Sequence, residues 1–142
     1  MKQIVAFLVG VWLMVQACLA QSSTTYYADK SGSSCGKAVT TGNRTTYYDK
    51  SGSTQGTAQQ NNSTTYYSDK SGSSAGKSVT LSNRTTCYDK SGSTKGSSQT
   101  TGNTTYYYDK TGSSSGKAVT SGNRTTYYDK SGSTVGSSQT MK

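Results

Sequence analysis

Residues 124–142 read Arg-Thr-Thr-Tyr-Tyr-Asp-Lys-Ser-Gly-Ser-Thr-Val-Gly-Ser-Ser-Gln-Thr-Met-Lys, and variants of this segment fill the chain from residue 24 onward. The Asp-Lys pair recurs every 20 residues without insertion or deletion, beginning at Asp29 and Lys30. The units are 24–43, 44–63, 64–83, 84–103, 104–123 and 124–142. Such regular spacing predicts equivalent structural units that contact mainly their neighbours.

Each unit predicts two strands and two turns. The Asp-Lys-Ser-Gly segment is typical of a turn, because Asp accepts a local backbone hydrogen bond and Gly adopts positive φ. The Thr-Thr-Tyr-Tyr run before it and the Ser/Thr-rich run after it are typical of strands. Pairs such as Gly42 and Asn43 indicate a second turn. The predicted Asp and Gly turn residues are Asp29, Gly32, Asp49, Gly52, Asp69, Gly72, Asp89, Gly92, Asp109, Gly112, Asp129 and Gly132.

One tyrosine column stands two residues before the Asp of each unit, and we expect it to form a structural ladder. Strand side chains alternate between faces, so this column shares one face and the second tyrosine of each unit lies on the other. The column holds Tyr27, Tyr47, Tyr67, Tyr107 and Tyr127, with Cys87 in the fourth unit. Even units also begin with Arg44, Arg84 and Arg124. A 40-residue unit repeated three times is therefore a second interpretation.

These patterns predict an all-β fold, namely a β-solenoid or stacked β-hairpin array of six 20-residue repeats. Stacked rungs about 4.8 Å apart would place Tyr on Tyr and align Ser, Thr, Asn and Gln in hydrogen-bond ladders. Beyond residue 20 the larger non-aromatic apolar side chains are few. They are Val39, Val79, Leu81, Val119, Val135 and Met141. We therefore expect stacked columns, and not an aliphatic core, to supply the order.

The first 20 residues have the features of a cleavable secretory signal. Lys2 precedes an apolar run from Ile4 to Val15, and small residues stand before a cut after Ala20. A second interpretation is a lipoprotein signal, in which a lipid on Cys18 would anchor the product to a membrane. We expect residues 21–142 to form a secreted repeat domain, extracellular or at the cell surface. Loss of Lys2 lowers the net charge from +9 to +8.

The residues that could carry chemistry argue against catalysis. The chain has no His, and its six acidic residues are all Asp in equivalent turns, whereas general acid–base chemistry needs a distinct pair. We expect no enzyme activity, no cofactor and no metal site. Cys35 and Cys87 occupy different columns, and stacked rungs would hold them too far apart for an internal disulfide. In an oxidising compartment they predict an intermolecular disulfide between protomers.

Residues 125–138 resemble the tandem repeats of small secreted bacterial proteins, in which Thr-Tyr-x-Asp-x-x-Gly units recur with no assigned activity. They are weakly similar to Rhs-type Tyr-Asp repeats and, more distantly, to aromatic repeats of choline- and glucan-binding proteins. Tandem polar repeats after a signal also resemble curli-like functional amyloid subunits. Ser33, Ser53 and Ser133 stand where Rhs repeats have Arg, and the repeats lack Trp. The resemblance spans residues 21–142 and carries over no binding residue.

Three functions are compatible with these features. The first is a structural subunit that self-associates into an extracellular fibre or surface matrix, because uncapped end strands invite the next copy to pair. The second is an extracellular module that binds carbohydrate or another anionic polymer through repeated Tyr and Lys. Extracellular DNA is also a candidate partner, since aromatic and basic side chains together suit single strands. The third is a hydrated, mostly disordered surface protein. We expect no specific small-molecule ligand.

Overall fold

A computed structural model describes residues 22–142, and these residues form twelve antiparallel strands that close into one barrel. The strands are β1 (Ser23–Asp29), β2 (Ser34–Thr41), β3 (Arg44–Asp49), β4 (Thr54–Asn61), β5 (Thr64–Asp69), β6 (Ser74–Leu81), β7 (Arg84–Tyr88), β8 (Thr94–Thr101), β9 (Thr104–Asp109), β10 (Ser114–Ser121), β11 (Arg124–Asp129) and β12 (Thr134–Met141). In this part of the chain no helix is long and apolar enough to cross a membrane. The signal interpretation and Cys18 lie outside the described residues.

The predicted β-solenoid or open stacked β-hairpin array is wrong, although the all-β class is right. Each 20-residue unit contributes one hairpin, and each hairpin pairs with the next around the circumference. The ladder also advances along the strands, because Thr25 pairs with Ala38 and Ala38 pairs with Tyr47, which matches Tyr27 of the first unit. This steady stagger, added to strand twist, curls the sheet until β1 meets β12.

The β1–β12 seam repeats the register found within the chain. Tyr27 lies opposite Ser138 and Asp29 opposite Gly136, as Tyr47 lies opposite Ala38 and Asp49 opposite Gly36. The β1–β12 ladder therefore has the same register as the β2–β3 ladder, although no turn joins its two strands. Closure leaves no free strand edge among residues 22–142.

The Asp-Lys-Ser-Gly segments, with Thr111 in place of Ser in the fifth unit, form the six turns at one end of the barrel, here called the Asp rim. In the third unit, the Gly72 amide donates to the Asp69 carbonyl at 3.0 Å and the Asp69 amide donates to the Ser73 carbonyl at 2.9 Å. One carboxylate oxygen of Asp69 accepts hydrogen bonds from the amides of Ser71 and Ser73. Gly72 has φ +84°. This is a type I turn closed by a left-handed residue.

One β-bulge follows each Asp-rim turn. In the third unit Tyr67 pairs with Gly76 and Ser68 pairs with Ser74, so Ala75 is the extra residue. Bulges increase the local twist of a strand, which favours closure. The extra residues differ in every unit: Cys35, Gln55, Ala75, Lys95, Ser115 and Val135.

The other end, here called the Asn rim, holds the two-residue turns 42–43, 62–63, 82–83, 102–103 and 122–123 together with Ser22 and Lys142. Gly42 has φ +59° while Asn43 keeps negative φ, the pattern of a type II′ turn. The Asn43 side-chain amide donates to the Gln60 carbonyl at 3.0 Å and extends the neighbouring ladder.

Inward-facing tyrosines and small residues fill the barrel. Tyr27 and Ala38 are buried. Towards the Asn rim, inward threonine hydroxyls bond across strand pairs, as Thr80 does with Thr85 at 2.9 Å. The interior is thus a belt of aromatic rings beside a layer of hydroxyl pairs, which explains how so few aliphatic side chains suffice.

Candidate functional site

The two tyrosine columns point to opposite sides of the barrel wall. The column that starts at Tyr27 faces the interior, and Tyr26 and Tyr48 face outward. The outward tyrosines flank a lysine across three neighbouring strands. Tyr26 of β1 lies opposite Lys37 of β2, and Lys37 also lies opposite Tyr48 of β3. The outer wall therefore carries a Tyr-Lys-Tyr cluster.

The same outward row continues in the other direction to a glutamine and an arginine. Tyr26 lies opposite Gln139 of β12, and Gln139 lies opposite Arg124 of β11. We call each such five-residue row a stripe. Stripe 1 is Arg124, Gln139, Tyr26, Lys37 and Tyr48. Stripe 2 is Arg44, Gln59, Tyr66, Lys77 and Tyr88. Stripe 3 is Arg84, Gln99, Tyr106, Lys117 and Tyr128.

Each stripe runs diagonally from the Asn rim to the Asp rim. Arg124 is the first residue of β11 at the Asn rim, whereas Tyr48 precedes Asp49 at the Asp rim. Four steps between strands of about 4.8 Å give a stripe a width of about 19 Å around the barrel. Between stripes the wall carries uncharged residues, as in the row Thr24, Val39, Thr46, Thr57 and Ser68. The cations and rings are thus concentrated along three equivalent lines.

The stripe side chains are accessible to a partner. The first tyrosines, Tyr26, Tyr66 and Tyr106, are 46 %, 52 % and 43 % exposed, and the arginines and glutamines are exposed. The second tyrosines are partly covered by the lysines. The Lys37 ammonium lies 5.6 Å from the Tyr48 ring centroid, and Lys77 and Lys117 repeat this over Tyr88 and Tyr128 at 5.8 Å and 5.6 Å. Cation–π contact holds each lysine along its stripe.

The Asp rim carries a second ring of charge. Its six lysines are exposed and alternate with the turn carboxylates: Lys30, Lys50, Lys70, Lys90, Lys110 and Lys130. The Ser71 hydroxyl bonds to Asp69 at 2.6 Å, and this bond, with the Ser71 and Ser73 amides, holds the Asp69 pKa below its usual value. All six Asp stay ionised beside these lysines, so the Asp rim has little net charge and the stripes have an excess of cations.

The predicted tyrosine ladder lies inside the barrel, out of reach of an external ligand. Burial raises the pKa of Tyr47 to about 12, and it also raises the pKa values of Tyr27, Tyr67, Tyr107 and Tyr127. These tyrosines form a ring across the barrel interior, with Cys87 in the sixth place. They support the wall that presents the stripes.

The Tyr27 hydroxyl is buried and has no partner of hydrogen-bond geometry within residues 22–142. Thr25 is near enough to offset part of the rise in the Tyr27 pKa, but its own hydroxyl pairs with Thr140 at 2.9 Å. The Tyr27 hydroxyl is thus an unsatisfied buried group among the described residues.

The two cysteines lie in different parts of the wall. Cys35 is the bulge residue of β2, and Cys87 faces the interior from β7; both are free thiols. An intermolecular Cys35–Cys87 bond would require the Cys87 thiol to become reachable from outside the barrel. This bond stays a prediction, which non-reducing gels of the oxidised protein test.

A polar cleft of about 370 Å³ opens at the Asn rim beside the β6–β7 turn. Its lining residues are Thr80, Ser82, Asn83, Thr85, Thr100 and Gly102. No charged side chain is among them.

The stripes were not identified from the sequence alone, although each component column was visible in it. The alternation of Arg, Gln and paired Tyr between odd and even units was the available signal. Joining those columns requires the cross-strand register, which places Lys77 between Tyr66 and Tyr88. Within residues 22–142, no group of three or more His, Cys, Asp or Glu could hold a metal ion. No protein-family model matches the chain, and no curated protein is significantly similar to it.

Proposed function

We propose that this chain is a secreted module that binds a linear acidic polysaccharide along its three outer stripes. The observation that carries the proposal is the repeated Arg-Gln-Tyr-Lys-Tyr row, formed by side chains from five strands. Arginine and lysine supply fixed cations, and glutamine and tyrosine hydroxyls supply hydrogen-bonding groups for sugar hydroxyls. The signal-like N-terminus supports an extracellular partner.

Charge favours an anionic partner. The repeat domain carries +8, and each stripe adds two cations on a wall whose intervening rows are uncharged. Concentrated cations attract polyanions and raise their rate of association. Three stripes on one barrel also allow a long polymer to bind more than once, which increases the overall affinity.

The tyrosine geometry favours an acidic polysaccharide over single-stranded DNA. Binding of single strands relies on bases that stack on open aromatic faces. Lys37 already lies over the Tyr48 ring, and the other two stripes repeat this arrangement, so half of the stripe rings have one face occupied. A ligand that offers carboxylates and hydroxyls makes better use of these groups than a ligand that offers flat bases.

Self-assembly into a fibre or matrix remains a separate hypothesis. It was motivated by exposed end strands, and closure of the barrel pairs those strands with each other. A fibre would therefore need another route than addition to a permanent free edge.

The test compares two triple variants of equal charge. The stripe variant carries Lys37→Gln, Lys77→Gln and Lys117→Gln, and the rim control carries Lys30→Gln, Lys70→Gln and Lys110→Gln. Titration calorimetry with polygalacturonate at low salt measures binding. Each stripe loses one exposed charge contact of roughly 0.5 kcal/mol, which predicts about a twofold weaker affinity per stripe and about a tenfold weaker affinity for a polymer that contacts all three stripes at once. We expect a clearly smaller loss for the rim control.

Equal losses in both variants would reduce the interaction to general charge attraction and contradict the stripe proposal. A single-stranded oligonucleotide of matched charge is the competitor. If it binds more tightly than polygalacturonate and depends on the same lysines, the polysaccharide assignment is wrong. Circular dichroism of all variants verifies that the barrel is intact.

A further inference from the structure

The β6–β7 turn divides the barrel into equal halves. Strands β1 to β6 precede it and strands β7 to β12 follow it. The halves meet at two ladders only, β6–β7 and β1–β12. Every other ladder lies within one half. This turn is therefore the point at which the chain could open into two continuous half-sheets of equal size.

The turn itself is strained. Ser82 has φ +54°, in the position where three other Asn-rim turns place Gly42, Gly102 and Gly122 at φ +59°. A left-handed conformation is unfavourable for a residue with a Cβ, and serine tolerates it less well than asparagine. Asn62 fills the same position in the β4–β5 turn. Among the five turns, the one at the midpoint holds the least suitable residue.

The β6–β7 ladder is also the shortest of its kind, with five residue pairs. Strand β7 ends at Tyr88, one residue earlier than β3 or β11. The pair equivalent to Gly36–Asp49 is therefore missing. Cys87 replaces the inward tyrosine on β7, which removes aromatic packing from this seam. The polar cleft lined by Thr80, Thr85 and their neighbours opens at the same place.

The Asn rim exposes one large apolar side chain at each of the two ladders that join the halves, Leu81 at β6–β7 and Met141 at β1–β12. Leu81, the last residue of β6, is 71 % exposed, and Met141 at the same rim is 52 % exposed. They are the two exposed aliphatic residues among the large hydrophobic side chains of residues 22–142. A second copy brought rim to rim would cover both.

We propose that two copies of this chain exchange halves at the β6–β7 turn, so that each barrel combines β1–β6 of one copy with β7–β12 of the other. The ladders of the exchanged barrel are those of the monomer, because the same strands meet in the same register. The turn segment from Leu81 to Arg84 then becomes an extended link of about 10 Å. This length brings two Asn rims into contact and allows the left-handed Ser82 to relax.

The partner is a second copy because only another copy of this chain supplies the same strand pairs that close the monomer. In-register pairing sets Val79 of one copy opposite Thr86 of the other, as it does within one chain. The exchange needs no new complementary surface, since low-cost swapping reuses existing contacts.

The first experiment measures dimer formation after residues 21–142 are unfolded and refolded at high concentration. Light scattering after size exclusion gives the dimer dissociation constant. Ser82→Gly removes the strain in the closed turn and should raise this constant about tenfold, because two hinges change in each dimer. Asn62→Gly, in a turn that does not halve the barrel, is the matched control and should change it little. Equal effects of both substitutions would overturn the assignment of the hinge.

The second experiment identifies which strands meet, in a Cys35→Ser and Cys87→Ser background. A Val79→Cys chain is refolded with a Thr86→Cys chain and oxidised in air. Exchange predicts a covalent heterodimer on a non-reducing gel. Thr46→Cys, whose strand neighbour is Val39, replaces Thr86→Cys in the control mixture and should give none. If both mixtures cross-link equally, or neither does, half exchange is excluded.

Discussion

The hydroxyls of Tyr67 and Ser78 lie 2.9 Å apart inside the barrel, and Tyr127 and Ser138 repeat the bond at the same distance. In both pairs a tyrosine of the first strand of a hairpin reaches a serine of the second strand. The equivalent second-strand residue is Ala38 beside Tyr27 and Ser98 beside Cys87. Ala58 beside Tyr47 and Ala118 beside Tyr107 repeat the case of Ala38. Four units therefore hold one half of the pair without the other, and this mismatch gives direct tests of the interior.

Cys87→Tyr should stabilise the barrel. Ser98 is already buried, and the new hydroxyl would bond to it while the ring takes the place in the column between Tyr67 and Tyr107. Added aromatic burial and one hydrogen bond predict a gain of about 1–2 kcal/mol in unfolding free energy. Urea unfolding measures it. Cys87→Ala removes the thiol without adding a ring, and it should not raise the unfolding free energy. A rise in both variants would mean that loss of the thiol is the cause.

Ala38→Ser should give the buried Tyr27 hydroxyl the partner that it lacks. A satisfied buried hydroxyl pair contributes about 1 kcal/mol, so the unfolding free energy should rise by that order. Ser78→Ala is the reciprocal change, and it should lower stability by about 1–3 kcal/mol by leaving the Tyr67 hydroxyl unpaired. If Ala38→Ser destabilises the protein, the Tyr27 hydroxyl already has a partner or has no space for a new one.

Gly76→Ala should be far more damaging than Gly72→Ala. Both glycines have positive φ, +126° and +84°. A Cβ on Gly72 meets open space, whereas a Cβ on Gly76 overlaps the Tyr88 carbonyl oxygen of the adjacent strand. We expect a cost of about 1 kcal/mol for Gly72→Ala and about 3 kcal/mol or more for Gly76→Ala. Similar midpoints in thermal unfolding would argue against this close approach of the strands.

Acid should destabilise the barrel through its six turns. The Asp69 pKa is lowered from 3.8, mainly by the Ser71 hydroxyl, so the folded chain releases this proton more readily than the unfolded chain. The stabilisation is fully present above the unfolded pKa and is lost as pH falls through the folded pKa. Asp69→Asn should therefore show a smaller drop in melting temperature than the unsubstituted chain between about pH 5 and pH 2. An unchanged drop would mean that this turn does not contribute.

Base should unfold the barrel for the opposite reason. Burial raises the Tyr47 pKa from 10.0 to about 12, so the folded state favours the neutral phenol. Stability is retained below the unfolded pKa of 10.0 and falls as pH rises above it. We expect phenolate absorbance of the inward tyrosines to rise together with loss of the β-sheet circular dichroism signal. Ionisation of these tyrosines in a chain that stays folded would contradict the buried ring.

Local structure was predictable here and closure was not. The Asp69–Gly72 turn and the alternation of Tyr66 and Tyr67 follow from residue chemistry within a few positions, and the structure has both. Closure depends on the stagger between strands, accumulated over all six hairpins, and no single unit contains it. The bulge at Ala75 adds twist to the strand. Its position has no sequence signal, because the equivalent residue differs in every unit.

The outer stripes were predictable only in part. The residue columns were visible in the sequence, but the rows were not. Arg44 and Tyr88 are far apart in sequence, and only the register of strands β3 to β7 places them at the two ends of one row. The place of Cys87 was likewise obscured, because a cysteine that follows a signal-like N-terminus is first interpreted as a disulfide partner. Its place in the ring of inward tyrosines becomes apparent only in a closed barrel.

The uniform seam register has a consequence for chain length. Removing residues 44–83 would delete four strands and leave eight, with every remaining ladder in register and Tyr88 taking the place of Tyr48 in stripe 1. Stripe 3 would be untouched. The number of stripes would then fall from three to two while the barrel stayed closed. Each 40-residue segment is thus an interchangeable section of the wall, and gain or loss of such segments sets both the circumference of the barrel and the number of outer stripes.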